Sequence, residues 1–276
     1  MKIPVSSQPW QPLTLGGVAG FGRASLGRLF KVQTAVALLL AASVIWFLAG
    51  ACFPQVDQAV AALPDQCGIR NRRLSWAGAS PVVLAEGPFL AITVNLEGGE
   101  TLARGVDLQF ELGREELRIR SLLGYFPMRY PAGWTLTLDR LETQAWWGAW
   151  RGFLLLGAGA ATVAGLFASW CVIALVYSIP VRTIAFYVDR QVSGWGSWKL
   201  ASAALLPGTV LMAAALGLYH FHRLNLIALL FAWLVHWVVG WIYVCLAPLR
   251  LPRTPEVQAI KGNPFGEAKR PKPEGD

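Results

Sequence analysis

Charge is scarce in this sequence, and histidine is scarcer. Only 14% of the residues are charged, against about 25% in soluble domains. The three histidines are His220, His222 and His236, and none falls between residues 53 and 144. That segment therefore lacks the most versatile acid–base group and the commonest metal ligand. No zinc motif and no nucleophile–base pair can be assembled from the chain, which argues against an enzyme and against a metal or other cofactor. The glycines Gly16, Gly17, Gly20 and Gly22 are followed by no Gly-Lys-Ser/Thr ending, which excludes a phosphate loop. Carboxylates are missing from residues 1–30 and from every long apolar run. The formal net charge of +8 gathers beside those runs rather than along a basic and aromatic groove, so nucleic acid is not an expected partner.

What is present is membrane-like. Apolar runs cover residues 32–51, 153–177, 200–219 and 224–246, each near the 17–25 residues a helix needs to cross the hydrocarbon core. Many of the 13 tryptophans stand at run ends, as Trp146, Trp147 and Trp150 do, where interfacial belts favour them. The predicted partition is a flexible basic N-terminus (residues 1–31), a first span (32–52), a small β-rich segment (53–145), a three-helix membrane block (146–247, with spans near 150–177, 200–220 and 224–246) and a disordered tail (248–276). The linker 178–199 is expected along the membrane interface. The first run exceeds the usual signal-peptide core, so an uncleaved anchor is expected. This holds although Ala49-Gly50-Ala51-Cys52 resembles a lipoprotein cleavage box, with Ala49 where that box prefers leucine.

Orientation follows from the positive-inside rule. Four basic residues precede the first run, Arg182, Arg190 and Lys199 lie in the linker, and six more follow the last run, whereas the short turn at residues 220–223 carries only Arg223. Both termini are then cytoplasmic and residues 53–145 extracytoplasmic, in a cell membrane.

The 53–144 segment holds nine arginines, eleven carboxylates and no lysine. Residues 55–63 have a short amphipathic helical pattern that Pro64 ends. Strands are predicted over residues 81–84, 89–96, 106–112, 116–122 and 135–141. In the third, Val106, Leu108, Phe110 and Leu112 alternate with Asp107, Gln109 and Glu111, the pattern of a sheet with one wet face. Residues 112–115 read as a hairpin turn. The charges Glu111, Arg114, Glu115, Glu116, Arg118 and Arg120 are expected on that solvated face as cross-strand ion pairs. A Cys52–Cys67 disulfide is compatible with an oxidising compartment but not required by the spacing.

Within the membrane block, Gly157, Ala161, Gly165 and Ser169 form a stripe of small residues, expected to let another helix approach closely, in this chain, in a second copy or in a membrane partner. Pro207 is expected to kink the third span. His236 is the one strongly polar group deep in the fourth span, expected to hydrogen-bond Thr162, Ser169 or Thr209. His220 and His222 supply only two ligands, too few for a metal site. Cys171 and Cys245 read as small buried apolar residues.

The patches Trp198–Thr209 (WKLASAALLPGT), Phe53-Pro54-Gln55-Val56-Asp57-Gln58-Ala59 and Leu63-Pro64, with the span–domain–three-span order, resemble a bacterial membrane family of unknown function, some of whose members are labelled maltodextrin-utilisation proteins. The resemblance implies a membrane-embedded accessory or sensing protein and carries over no site residue. The expectation is a non-enzymatic four-helix membrane protein presenting an extracytoplasmic, mostly β domain for partner or ligand recognition, with a transporter or small-channel subunit as the alternative.

Overall fold

The computed structural model describes residues 11–99, 103 and 105–254. It has four helical segments long and apolar enough to cross a membrane, Leu26–Ala61, Arg140–Tyr187, Gly194–His220 and Leu226–Arg250, together with two β-sheets. The chain divides into two units, and four of its helices contribute residues to both.

The first unit comprises the described residues up to Ala37, Gly165–Leu211 and the described residues from Trp233. It opens with α1 (Leu15–Phe21), whose Thr14 hydroxyl accepts from Gly17 N at 3.1 Å and so caps one of the free N–H groups of the first turn. It also holds the starts of α2 (Leu26–Phe47) and α6 (Leu206–His220), the end of α4 (Arg140–Tyr187), all of α5 (Gly194–Ala204) and the end of α7 (Leu226–Leu246). The flexible stretch expected over residues 1–31 is corrected for residues 11–31. Val18, Phe21 and Leu29 are buried, and α1 packs on α5, where a Cβ on Gly196 would stand 2.9 Å from Gly22 O. Absent side chains let the two backbones meet, and burial of Phe21 then holds them.

The linker expected at residues 178–199 is instead mostly helical. α4 runs through Pro180 to Tyr187, and α5 begins at Gly194 under a Ser193 cap. Pro207 acts differently from a simple kink. The helix breaks at Leu205, two residues earlier, and Pro207 falls in the first turn of α6, where a missing N–H costs nothing. The expected disordered tail is corrected for residues 248–254. Gln191 N donates to Pro252 O and Thr254 N to Asp189 O, both at 3.0 Å. Residues 1–10 and 255–276, and the mobility expected for them, lie outside the described residues.

The second unit, Leu38–Ala164 and Met212–Ala232, carries the sheets. The first helix changes pitch in a π-turn at Leu48–Cys52 and continues as α3 (Phe53–Ala61). Eight strands follow: β1 (Cys67–Arg70), β2 (Arg73–Trp76), β3 (Val82–Glu86), β4 (Leu90–Val94), β5 (Leu108–Leu112), β6 (Glu116–Ser121), β7 (Gly124–Arg129) and β8 (Thr135–Thr137). They form a three-stranded sheet β2-β1-β8 and a five-stranded sheet β3-β4-β5-β6-β7, antiparallel except for β4–β5. The expected β5–β6 hairpin is present, with Leu112 opposite Leu117. Ala59, Cys67, Ile69, Leu74, Leu84, Val94 and Tyr130 make the core, with Ile92, Leu112 and Leu117 packed on it.

The stripe Gly157, Ala161, Gly165 and Ser169 is mostly exposed, and a Cβ on Gly157 or Gly165 would meet nothing within 4 Å. Among the described residues no helix packs closely on these two glycines. The close approaches occur at other glycines: a Cβ on Gly159 would lie 2.7 Å from Ile45 Cδ1, and one on Gly208 would lie 2.7 Å from His236 O. The second of these is backbone and cannot yield. Gly208→Leu should therefore lower the melting temperature of the full-length protein in detergent markedly, whereas Gly157→Leu and Gly165→Leu should leave it within error. Equal effects at all three positions would reject this assignment of the packing contacts.

Candidate functional site

The five-stranded sheet departs from the wet-face pattern. Along β5 the buried residues are Gln109 and Glu111, while Leu108, Phe110 and Leu112 are only half-buried. Register explains it. Parallel pairing sets Ala91 beside Gln109 and Thr93 beside Glu111, and Ala91, Thr93 and Asn95 are buried with them. A parallel pair needs a crossover. Here it lies between Val94 and Leu108, and Gly98 within it stands close to the Arg118 guanidinium.

Glu111 has no exposed surface. A lone carboxylate there would be far too costly, and β6 provides its partners. Arg118 Nη1 donates to Glu111 Oε1 at 2.7 Å, while its Nε donates to Glu116 Oε1 at 3.0 Å. Arg120 Nη2 donates to Glu111 Oε1 at 3.5 Å, while its Nε stands 3.5 Å from Glu111 Oε2 without hydrogen-bond geometry. Burial alone would lower Arg118, but its bonds to Glu111 and Glu116 outweigh it and hold the guanidinium above its ordinary value. The expected solvated ion pairs are thus corrected for Glu111, Glu116, Arg118 and Arg120; Glu115 instead pairs with Arg73, both side chains more than half exposed.

Arg120 also lines a cleft of about 430 Å³ with Asp107, Gln109, Ser121, Leu122, Asn225, Leu226 and Ile227, among others. Asp107 accepts a hydrogen bond from Tyr219 at the end of α6. Tyr219 in turn packs between Phe89 and Phe47, with centroids 4.7 and 5.4 Å away. Asn225 caps α7 by accepting from Ala228 N at 2.8 Å. The walls of the cleft are accordingly set by a sheet register, an aromatic cluster and a helix cap.

The other sequence candidates do not converge on it. His236 Nδ1 contacts Trp233 O of its own helix, and its ring packs on Trp233 and Trp237. The three hydroxyls expected to serve it donate instead to carbonyls three or four residues earlier, Thr162 to Ala158 O, Ser169 to Leu166 O and Thr209 to Leu205 O. His220 packs on Trp46, and His222 stacks on Phe89. Cys52 and Cys67 are both free thiols, and Cys171 and Cys245 are exposed rather than buried. Among the described residues no group of three or more His, Cys, Asp or Glu side chains is placed to hold a metal ion.

Two polar contacts were not foreseen. Asp57 accepts from Trp147 Nε1 at 2.6 Å and from Arg151 Nη1 at 3.1 Å, clamping α3 to α4. Gln33 Nε2 donates to Ser202 Oγ at 2.7 Å in a buried bond between α2 and α5. The signal for the first was a lone carboxylate in an amphipathic helix; the second pair gave none. No protein family matches the chain, no curated protein matches it and no solved structure matches it.

Removing one member of a buried ion cluster strands the others, at a cost of about 3–5 kcal/mol. Glu111→Gln should therefore unfold the β-domain by about that much. Glu111→Leu combined with Arg118→Met and Arg120→Met should be close to neutral, and Arg73→Ala should cost at most about 1 kcal/mol. Hydrogen exchange of the sheet amides in full-length protein reports all three.

Burial, reinforced by the Asp139 carboxylate, pushes the Cys67 thiol up to about 11. Burial likewise pushes the Tyr130 phenol to about 12, against the pull of the Arg118 cation. Unfolded, these groups ionise near 9 and 10, so alkaline unfolding releases their protons. β-Domain stability should be full below pH 9 and fall as the pH rises through 11. Denaturant titrations across that range measure it, and Cys67→Ala should flatten the lower part of the decline.

Proposed function

We propose that this is a multi-span membrane protein without catalytic activity that presents an extracytoplasmic β-domain for recognition, its cleft receiving a polar ligand or the polar end of a partner. The observation that carries the reading is the cleft itself. It joins a guanidinium, a carboxylate, two amides and a hydroxyl to an apolar floor, the mixed lining that binding sites use to orient what they hold. The buried ion cluster beneath holds Arg120 in place.

Charge distribution supports the orientation. Arg23, Arg28, Lys31, Arg182, Arg190, Lys199, Arg250 and Arg253 all belong to the first unit, where Asp189 is the only carboxylate side chain among the described residues. The second unit has no lysine. The positive-inside rule places the first set in the cytoplasm and the β-domain across the membrane. Gly157, Ala161, Gly165 and Ser169 remain open for a membrane partner or a second copy.

A photo-reactive amino acid at Ser121, inside the cleft, should give a discrete adduct in native membranes that Ile227→Trp, which fills the cleft from α7 without touching the ion cluster, abolishes. The same group at Arg114, at the opposite end of the hairpin, should give none. Adducts that ignore Ile227→Trp, or none at Ser121, would reject the cleft as the recognition site.

A further inference from the structure

The β6–β7 hairpin ends in an apolar tip that water does not suit. Leu122 is 58% exposed, Leu123 77%, and Phe126 just behind them 62%. Gly124 at φ +135 closes the turn that holds the two leucines forward. Beside them β7 is the open edge of the sheet.

An added strand is a poor fit for that edge. Pro127 sits in the middle of β7 opposite Arg118, and a proline has no N–H to offer a neighbouring strand. What covers the tip must accept apolar side chains without asking for backbone hydrogen bonds.

Register locates the tip. Leu90, Leu108, Ser121 and Gly124 form one row across four strands. One residue beyond that row along the chain are Phe89, Asp107, Leu122 and Leu123. Phe89 and Asp107 both touch Tyr219 in the last turn of α6. Leu122 shares the cleft wall with Leu226 and Ile227, the first residues of α7. That helix has 21 residues, about 31 Å at 1.5 Å each, which matches a hydrocarbon core of about 30 Å. Its first turn therefore stands at the membrane boundary, and the hairpin tip stands beside it.

We propose that Leu122 and Leu123 insert into the lipid leaflet at the N-terminal end of α7, with Phe126 and Tyr125 at the interface behind them. The occupant of this surface is the bilayer that holds the helices, continuous with the lipid already facing Ile227, which is 61% exposed. Aromatic residues set directly behind the aliphatic tip suit that depth. The inference rests on the membrane-spanning reading of the four helices.

The test uses full-length protein with Cys52, Cys171 and Cys245 replaced by alanine and the buried Cys67 retained. It is reconstituted in vesicles of equal parts phosphatidylcholine and phosphatidylglycerol. A nitroxide is attached at Leu123→Cys, at Phe231→Cys on the exposed face of α7, and at Arg72→Cys in the β1–β2 turn. Collision with dissolved oxygen is compared with collision with a water-soluble nickel chelate. The label at residue 123 should favour oxygen several-fold over nickel, like residue 231 and opposite to residue 72. If residue 231 favours oxygen while residue 123 follows residue 72, the tip is in water and the proposal falls alone. If residue 123 is shielded from both reagents, protein covers it and the proposal is also overturned. If residue 231 itself behaves like residue 72, the spanning reading fails and takes the proposal with it.

Discussion

A carboxylate with no exposed surface constrains everything built around it. Glu111 stays in the sheet because Arg118 and Arg120 reach it from the next strand, and they reach it only in the register that pairs Glu111 with Arg118 and Gln109 with Arg120. A slip of one residue would turn both arginines into the apolar core and Leu117 and Ile119 onto the polar face. The cluster therefore adds little net stability but excludes alternative pairings. The same register sets the height of the hairpin tip and places Arg120 on the cleft wall.

The helical part is held by different means. Side chains with hydroxyls satisfy themselves within their own helices, as Thr162 and Ser169 do, and leave little polar contact between helices. Close approach replaces it, at Gly159, Gly208 and the Gly22–Gly196 crossing. The buried Gln33–Ser202 bond is an exception. Polar links at the helix ends do the rest: Lys199 to Ala24 O in one unit, Asp57 to Trp147 and Arg151 in the other.

Four long apolar helices and the β5–β6 hairpin were legible in the sequence because length and alternation are local properties. Which face of the sheet is buried was not legible. Alternation separates Gln109 and Glu111 from Leu108 and Phe110, but it does not say which of the two faces the fold buries. β1 and β2 are four residues each, too short to show a period, and Pro127 concealed β7. The small-residue stripe was visible and the glycines that matter were not, since spacing cannot tell which side of a helix meets a neighbour. In the cleft, Arg120 was visible as a charge; Asp107 and Asn225 become meaningful only when the register and the α7 cap bring them to the same wall.

The π-turn at Leu48–Cys52 has one further consequence. It places an extra residue in a helix that would otherwise keep a single phase from the apolar run into the β-domain. An α-helix advances about 100° per residue, so that insertion rotates everything after it by roughly a quarter turn. Gly50, within the turn, brings the helix so close to His220 that a Cβ there would stand 2.8 Å from the ring. The helix thus carries two azimuths, one chosen by the segment before the turn and one by the Asp57 clamp after it. An apolar stripe drawn straight along the whole segment would therefore lose its face at the turn, because neither half has to share a periodicity with the other.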